Sequence, residues 1–270
     1  MQIPPILYGT AWKRDETERL VSLAFQAGFR GFDTACQPKH YDEAGVGRGI
    51  AACGQLGVDR DSLYLQTKFT PLSGHDPRRV PYDPKAPIAQ QIAQSCAVSL
   101  AHLRTDYLDC LLLHSPLSTI KETLQAWGQL ERLVDDGKVR QLGISNCYAL
   151  DMLEQLWSKA RIQPAVVQNR LYRDTGYDRE LRAYCRDRRI TYQSFWTLTA
   201  NPHLLADASV VTAARSHQRS PAQILFRYLT QRAVVPLTGT RSEQHMREDL
   251  GIFEFELTPV ELEAIDRLLQ

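Results

Sequence analysis

The sequence predicts a (β/α)8 barrel, an α/β fold whose active site sits at the C-terminal ends of its strands, and three observations carry the prediction. Short apolar runs alternate eight times with amphipathic stretches. The length of 270 residues is close to the roughly 250 usual for such a barrel. The rival, a doubly wound open sheet binding a dinucleotide, would carry a GxGxxG turn after an early strand. Here the first strand ends in "YGTAW", and no GxGxxG occurs.

In chain order the expected strands are "PILYG", "FRGFDT", "LYLQTK", "YLDCLLLH", "VRQLGIS", "AVVQN", "TYQSF" and "VVPLT". Helical signals separate them. Asp15 with Glu18 three residues on predicts a capping pair, and Gly28 closes that helix. Ile88, Ile92, Cys96, Leu100 and Leu103 follow helical spacing, so 87–103 should bury one face. Leu124, Trp127, Leu130 and Val134 do the same before Gly137. Ser220-Pro221 and Thr258-Pro259 read as an N-cap followed by a first-turn proline, and Glu261 completes a capping box at the second. Two longer connections, 69–87 and 196–207, follow strands and so belong at the face where active sites are built. No linker or shift of composition divides the chain, so one barrel domain is expected over residues 1–270.

Charge and composition narrow the function classes. Thirty-two basic and 31 acidic residues give a net charge of +1, without the basic excess of a nucleic-acid binder. No apolar run is long enough to span a membrane, and "MQIPPILYGT" lacks the pattern of a secretory signal. Six scattered cysteines, with no CxxC pair, suit reduced thiols in a cytoplasmic protein; Cys36 and Cys147 stand near candidate site residues.

Polar residues at strand ends point to the chemistry. Asp33 ends the second strand, Lys68 the third and His114 the fourth, with Tyr41 in the loop after the second. An acid, a lysine and a histidine on consecutive strands converge on one mouth of a barrel, where an unpaired buried charge would be costly and mutual pairing is expected. Taken singly, Asp33 could cap a helix, Lys68 could snorkel to solvent, and His114 could be a satisfied loop histidine. Together they suit acid–base work around a carbonyl. A lysine ammonium beside a tyrosine favours the phenolate, and a histidine can hydrogen-bond the substrate oxygen. No second His or Asp stands at metal-ligand spacing from His114, and no GxSxG elbow occurs.

With these residues in place, the sequence resembles the aldo-keto reductases, NAD(P)H-dependent barrels that reduce aldehydes and ketones. "GFRGFDTA" resembles the family's "GYRxIDTA", "YLDCLLLHSP" its "YLDLLLIHWP", and "GKVRQLGISN" its "GKVRAIGVSN"; "LYLQTK" looks like the strand that carries its catalytic lysine. The resemblance implies Tyr41 as general acid, Lys68 as the group that depresses its pKa, Asp33 as partner of Lys68, and His114 as orienter of the substrate. It implies that Ser145, Asn146 and Gln168 bind the nicotinamide carboxamide and that Phe195 stacks on the ring. Gly9, Thr10, Thr197, Leu198, Thr240, Arg241, His245 and Asp249 complete the implied cofactor site.

Three departures matter. Two residues usually separate "DTA" from the tyrosine, whereas five separate Ala35 from Tyr41 here; counting back from "GVG" puts His40 in that slot, one place off. A phenol beside Lys68 suits the acid role, so Tyr41 is preferred, with "CQPK" as an insertion and His40 as a substrate contact. In "GTRSEQHMRED", Gly239 and His245 replace the lysine and arginine with which many relatives hold the 2′-phosphate of NADPH; Arg241 supplies a nearby cation, and NADPH is expected, with NADH as the alternative. The chain stops at Gln270, after the last expected helix, without the long loop that closes the pocket in many relatives. A more open pocket is therefore expected, bounded by Trp12, His40, Phe69, Tyr82 and Trp196, with loop 69–87 helping to close it. The expected partner is a small aldehyde or ketone, with no nucleic acid, no membrane and no metal, and a monomer is the default. A nicotinamide-sensing regulatory or binding protein with little turnover is the alternative.

Overall fold

A computed structural model describes residues 3–54 and 59–269; Met1, Gln270 and the ends of the expected domain lie outside them. All eight expected strands form, all parallel, and close into a barrel in chain order. They are β1 (Leu7–Gly9), β2 (Gly31–Asp33), β3 (Tyr64–Phe69), β4 (Leu108–Leu113), β5 (Val139–Ser145), β6 (Val166–Arg170), β7 (Thr191–Phe195) and β8 (Val234–Thr238). β8 returns to β1 through Leu7↔Leu237 and Tyr8↔Thr238, which leaves no open edge.

Helices α1 (Thr17–Ala27), α2 (Glu43–Gly54), α3 (Ile88–Leu103), α4 (Ile120–Asp135), α5 (Leu150–Lys159) and α6 (Arg179–Asp187) follow the first six strands in turn. After β7 come the short α7 (Pro202–Leu205), α8 (Ala208–His217) and α9 (Pro221–Gln231), and after β8 come α10 (Glu243–Leu250) and α11 (Pro259–Asp266). The caps read at Ser220 and Thr258 both form as full capping boxes, with Gln223 and Glu261 at the third position; Thr119 and Glu122 make another at α4 that the spacing argument did not single out. Gly28 ends α1 at φ 122°, a conformation open to glycine. Asp15, however, is not a cap. One turn of 3-10 helix, Arg14–Glu16, precedes α1, whose start has no side-chain cap, and Glu18 pairs with Arg48 at 2.6 Å instead.

Strand periodicity sorts the side chains into two layers. One buried cluster, Leu7, Tyr64, Cys110, Leu112, Val166 and Leu237, plugs the barrel interior. The larger cluster lies between strands and helices and includes Leu65, Phe69, Leu111, Leu113 and Val167. On β3 the inward parity continues from Tyr64 to Gln66 and Lys68, and on β6 from Val166 to Gln168 and Arg170. The apolar plug thus gives way to polar groups toward the C-terminal mouth.

α2 and α3 pack closely at Gly47, where a Cβ would collide with the backbone of His102 and Leu103. Gly47→Ala is therefore expected to push α2 outward and to cost about 1–3 kcal/mol, read as a lower melting temperature. An unchanged melt would show that the two helices part freely.

Candidate active site

The floor of the mouth is a buried ion pair. Lys68 Nζ donates to Asp33 Oδ2 at 2.6 Å and Oδ1 at 2.7 Å, and to the Thr34 carbonyl at 2.8 Å. Both side chains are almost wholly buried. Asp33 Oδ1 also accepts from the amides of Gln66 (2.7 Å) and Gln168 (2.9 Å), and both amides donate to Gln193 Oε1. Tyr64 Oη and Gln193 Nε2 complete the layer by donating to Gln66 Oε1. Gln66 and Gln193 carry no sequence motif; their inward parity next to Lys68 and Phe195 is the signal that finds them.

Tyr41 stands over this pair. Lys68 Nζ lies 5.5 Å from its ring centroid, and the His114 ring meets it edge-on at 6.3 Å. The Tyr41 hydroxyl has no hydrogen-bond partner among the described residues. The expected depression of its pKa by Lys68 is not what the geometry gives. The ammonium hydrogens go to Asp33 and Thr34, and burial, with the Asp33 carboxylate adding to it, pushes the Tyr41 phenol up from its ordinary value. Burial pulls Lys68 down, against the field of Asp33.

His114, directly after β4, is brought to Tyr41 by its inward parity. Burial, aided by the charge of Lys68, holds its pKa down at about 3, so the ring is neutral at ordinary pH. Its Nδ1 meets the Thr70 hydroxyl at 2.6 Å, and Asn146 Nδ2 donates to its carbonyl at 2.8 Å.

The connection after β2 folds on Gln37, whose carbonyl accepts from the backbone amides of both His40 and Tyr41. Gln37 Nε2 donates to the Gly74 carbonyl at 2.8 Å, which turns Oε1 toward His40 Nδ1 at 2.9 Å. His40 therefore carries its proton on Nδ1 and has a lone pair on Nε2. Its ring packs on Trp12 at 4.0 Å, and it makes no ring contact with Lys68 or His114. The inserted loop thus puts Tyr41, and not His40, beside the buried pair.

These groups open into a cavity of about 930 Å³, large for a small-molecule site. Of the expected residues, its wall holds Gly9, Trp12, Asp33, His40, Tyr41, His114, Ser145, Asn146, Gln168, Phe195, Trp196, Thr197, Leu198, Thr240, Arg241, His245 and Asp249. Four expected site residues are not on the wall: Lys68 is sealed beneath it, paired with Asp33, and the other three lie elsewhere. Thr10 Oγ1 donates to the Asp33 carbonyl at 2.9 Å. Phe69, one residue past the inward Lys68, faces the helices, and Tyr82 packs on it at 5.5 Å. Loop 69–87 contributes nothing to the wall; it braces His114 from behind through Thr70, whose carbonyl accepts from Tyr82 Oη and His75 Nε2. Trp12, Asn146 and Trp196 take left-handed backbone, with φ of 62°, 52° and 55°. That conformation costs an ordinary residue roughly 1 kcal/mol or more, and these three are among ten described non-glycine residues that adopt it.

The end of the cavity near α10 carries the cations Lys13 and Arg241, with Glu248 and Asp249 of α10 also on its wall. Lys13 reaches across from the loop after β1 to donate to the Gly239 carbonyl, with Nζ 3.6 Å from where a Cβ of residue 239 would stand. Burial, with the nearby Arg241 charge, lowers Lys13 to about 8. The position of Lys13 directly after Trp12 at the end of β1 was the overlooked signal. Arg241 is tied to Glu16 and to the Trp12 carbonyl. Among the described residues no group of three His, Cys, Asp or Glu side chains is arranged to hold a metal, and all six cysteines are free and buried.

Comparison with known proteins gives a consistent answer. The Aldo/keto reductase family model matches residues 6–270. The chain is 31% identical over 256 residues to the glyoxal reductase of Bacillus subtilis, covering 94% of this chain and 84% of that one. It is 32% identical over 255 residues to an aldo-keto reductase of Mycolicibacterium paratuberculosis, covering 94% and 82%. Among solved structures, an aldo/keto reductase from Brucella melitensis superposes with a TM-score of 0.84 at 27% identity, over 98% of this chain and 95% of that one.

Asp249, buried beside β8, has its carboxyl pushed up to about 6 by burial, partly offset by the Thr238 hydroxyl at 2.6 Å. Above pH 6 the folded chain must bury a charge that the unfolded chain keeps in water. As pH falls from 6 to about 4, the folded state takes up the proton first and this penalty disappears. Asp249→Asn should therefore raise stability at pH 7–8 by about 1–3 kcal/mol, and much less near pH 4, in paired thermal melts. A gain independent of pH would contradict this.

Proposed function

Because the chain belongs to the aldo/keto reductase family, we propose that it reduces aldehyde or ketone carbonyls to alcohols with NADPH, Tyr41 serving as general acid. Family membership makes it an oxidoreductase of carbonyl compounds. The observation that carries the finer reading is the unpartnered Tyr41 phenol held between the buried Lys68–Asp33 pair and the edge of His114.

The residues present fit a nicotinamide dinucleotide. Phe195 offers an aromatic face, and Ser145, Asn146 and the Gln168 side-chain Oε1 offer polar atoms on the same wall. Lys13 and Arg241 offer positive charge at the α10 end for a phosphate. A bound nicotinamide supplies the hydride that the carbonyl carbon receives.

The chain's own groups do the rest. In the tautomer with its proton on Nε2, to which the Thr70 hydroxyl can donate at Nδ1, neutral His114 donates a hydrogen bond to the carbonyl oxygen, fixing the carbonyl's orientation. Tyr41 gives its proton to that oxygen as negative charge develops there. An alkoxide is a far stronger base than a phenolate, so the upward shift of Tyr41 does not prevent transfer and keeps the acid loaded throughout the ordinary pH range. Lys68 steadies the phenolate left behind, and Asp33 fixes Lys68. The buried, reduced cysteines suit a cytoplasmic setting, and no described helix is long and apolar enough to cross a membrane.

Aldehyde-dependent NADPH oxidation tests the reading. Tyr41→Phe should lower kcat by about 10²-fold or more, while His40→Ala retains the chemistry. Near-normal turnover in Tyr41→Phe with loss in His40→Ala would overturn the assignment, and NADPH binding without turnover in the wild type would favour a cofactor-sensing role. Separately, Lys13→Met and Arg241→Ala should each weaken NADPH binding and leave NADH binding nearly unchanged. Wild-type affinity for NADH equal to that for NADPH would remove the phosphate from the account.

A further inference from the structure

Three Lys or Arg side chains line the cavity, and two of them are engaged: Lys13 by the Gly239 carbonyl, Arg241 by Glu16 and the Trp12 carbonyl. The third, Arg170, has no carboxylate and no hydrogen-bond acceptor among the described residues, and its Nε is buried without a partner. Strand parity explains why it points there: Val166, Gln168 and Arg170 alternate on the inner face of β6, and Arg170 is the last of them, at the mouth. Its guanidinium lies over two aromatic rings, with Cζ 4.2 Å from the Trp196 ring centroid and 5.1 Å from that of Tyr172. Stacking fixes the plane of the fork and satisfies none of its N–H groups.

The geometry points to Arg170 as the receptor for an oxyanion, a carboxylate or phosphate, carried by the carbonyl substrate. A short chain of bonds ties it to the carbonyl end of the cavity. The Arg170 backbone N–H donates to Tyr148 Oη at 3.1 Å, that hydroxyl donates to Asn146 Oδ1 at 3.4 Å, and Asn146 Nδ2 donates to the His114 carbonyl. A planar, clamped fork with free donors matches a carboxylate bidentately, and the neighbouring Asn146, Tyr148, Phe195 and Trp196 bring no competing negative charge. The pyrophosphate of a dinucleotide is the other source of the same chemistry. The inference rests on the cavity being a carbonyl-reducing site, and it refines that reading by naming acid-bearing aldehydes and ketones as preferred substrates.

The test compares wild type, Arg170→Gln and Arg170→Lys on 4-carboxybenzaldehyde and benzaldehyde at saturating NADPH, with NADPH, benzoate and benzamide titrated calorimetrically. The expected result is a loss of about ten-fold or more in kcat/KM for 4-carboxybenzaldehyde in Arg170→Gln, partial recovery in Arg170→Lys, and little change for benzaldehyde. Weaker NADPH binding in Arg170→Gln, with the two aldehydes affected alike, supports the oxyanion receptor and moves its ligand to the pyrophosphate. Wild type and Arg170→Gln that treat both aldehydes alike and bind NADPH alike would overturn the proposal. Should the wild type turn over neither aldehyde, the reductase reading fails on its own. Arg170 is then read from binding alone: benzoate held more tightly than benzamide by wild type but not by Arg170→Gln supports it, and equal binding sinks it.

Discussion

The Lys68–Asp33 pair is the constraint on which the rest of the mouth depends. Two opposite charges taken out of water are tolerated only when their remaining hydrogen-bonding capacity is met. Here it is met by the Thr34 carbonyl and by two glutamine amides from β3 and β6. Those amides are oriented in turn by Gln193 on β7 and Tyr64 on β3. Strands far apart in sequence are therefore tied together by one carboxylate, over the apolar plug of the barrel interior. A ring placed on this floor, as Tyr41 is, inherits its rigidity.

Much of this was legible in the sequence, for identifiable reasons. The eight strands were readable because parallel strands buried on both faces are nearly continuous apolar runs, and Asp33, Lys68 and His114 stood out as the polar residues that end such runs. Gln66 and Gln193 were missed because an uncharged amide within a strand draws no notice until a charge beside it needs partners. Phe69 and Tyr82 were misplaced because aromatic character was read without parity. Once Lys68 points inward, Phe69 must point out, and the loop residue that packs on Phe69 goes with it. Lys13 escaped because a cation was sought at position 239 itself, whereas the space left by that glycine is approached by a lysine from the opposite end of the chain.

The long connection after β3 shows how a loop contributes to a site it does not touch. Its residues fold back so that Tyr82 and His75 both bond the Thr70 carbonyl, fixing the residue whose hydroxyl meets His114 Nδ1. Gln37 reaches the same loop at Gly74 and from there sets the protonation of His40. The two histidines at the mouth are thus set by one brace, the first through a side chain and the second through a backbone carbonyl.

Trp12 and Trp196, in strained backbone on the cavity wall, expose 46% and 47% of their surface, whereas Trp127 is sealed in the core with its indole N–H on the Ile162 carbonyl. Two of the chain's four indoles therefore change solvent when the cavity fills, and Trp127 does not. The mouth thus carries an optical gauge of its own occupancy in these two indoles, set apart from the buried Trp127.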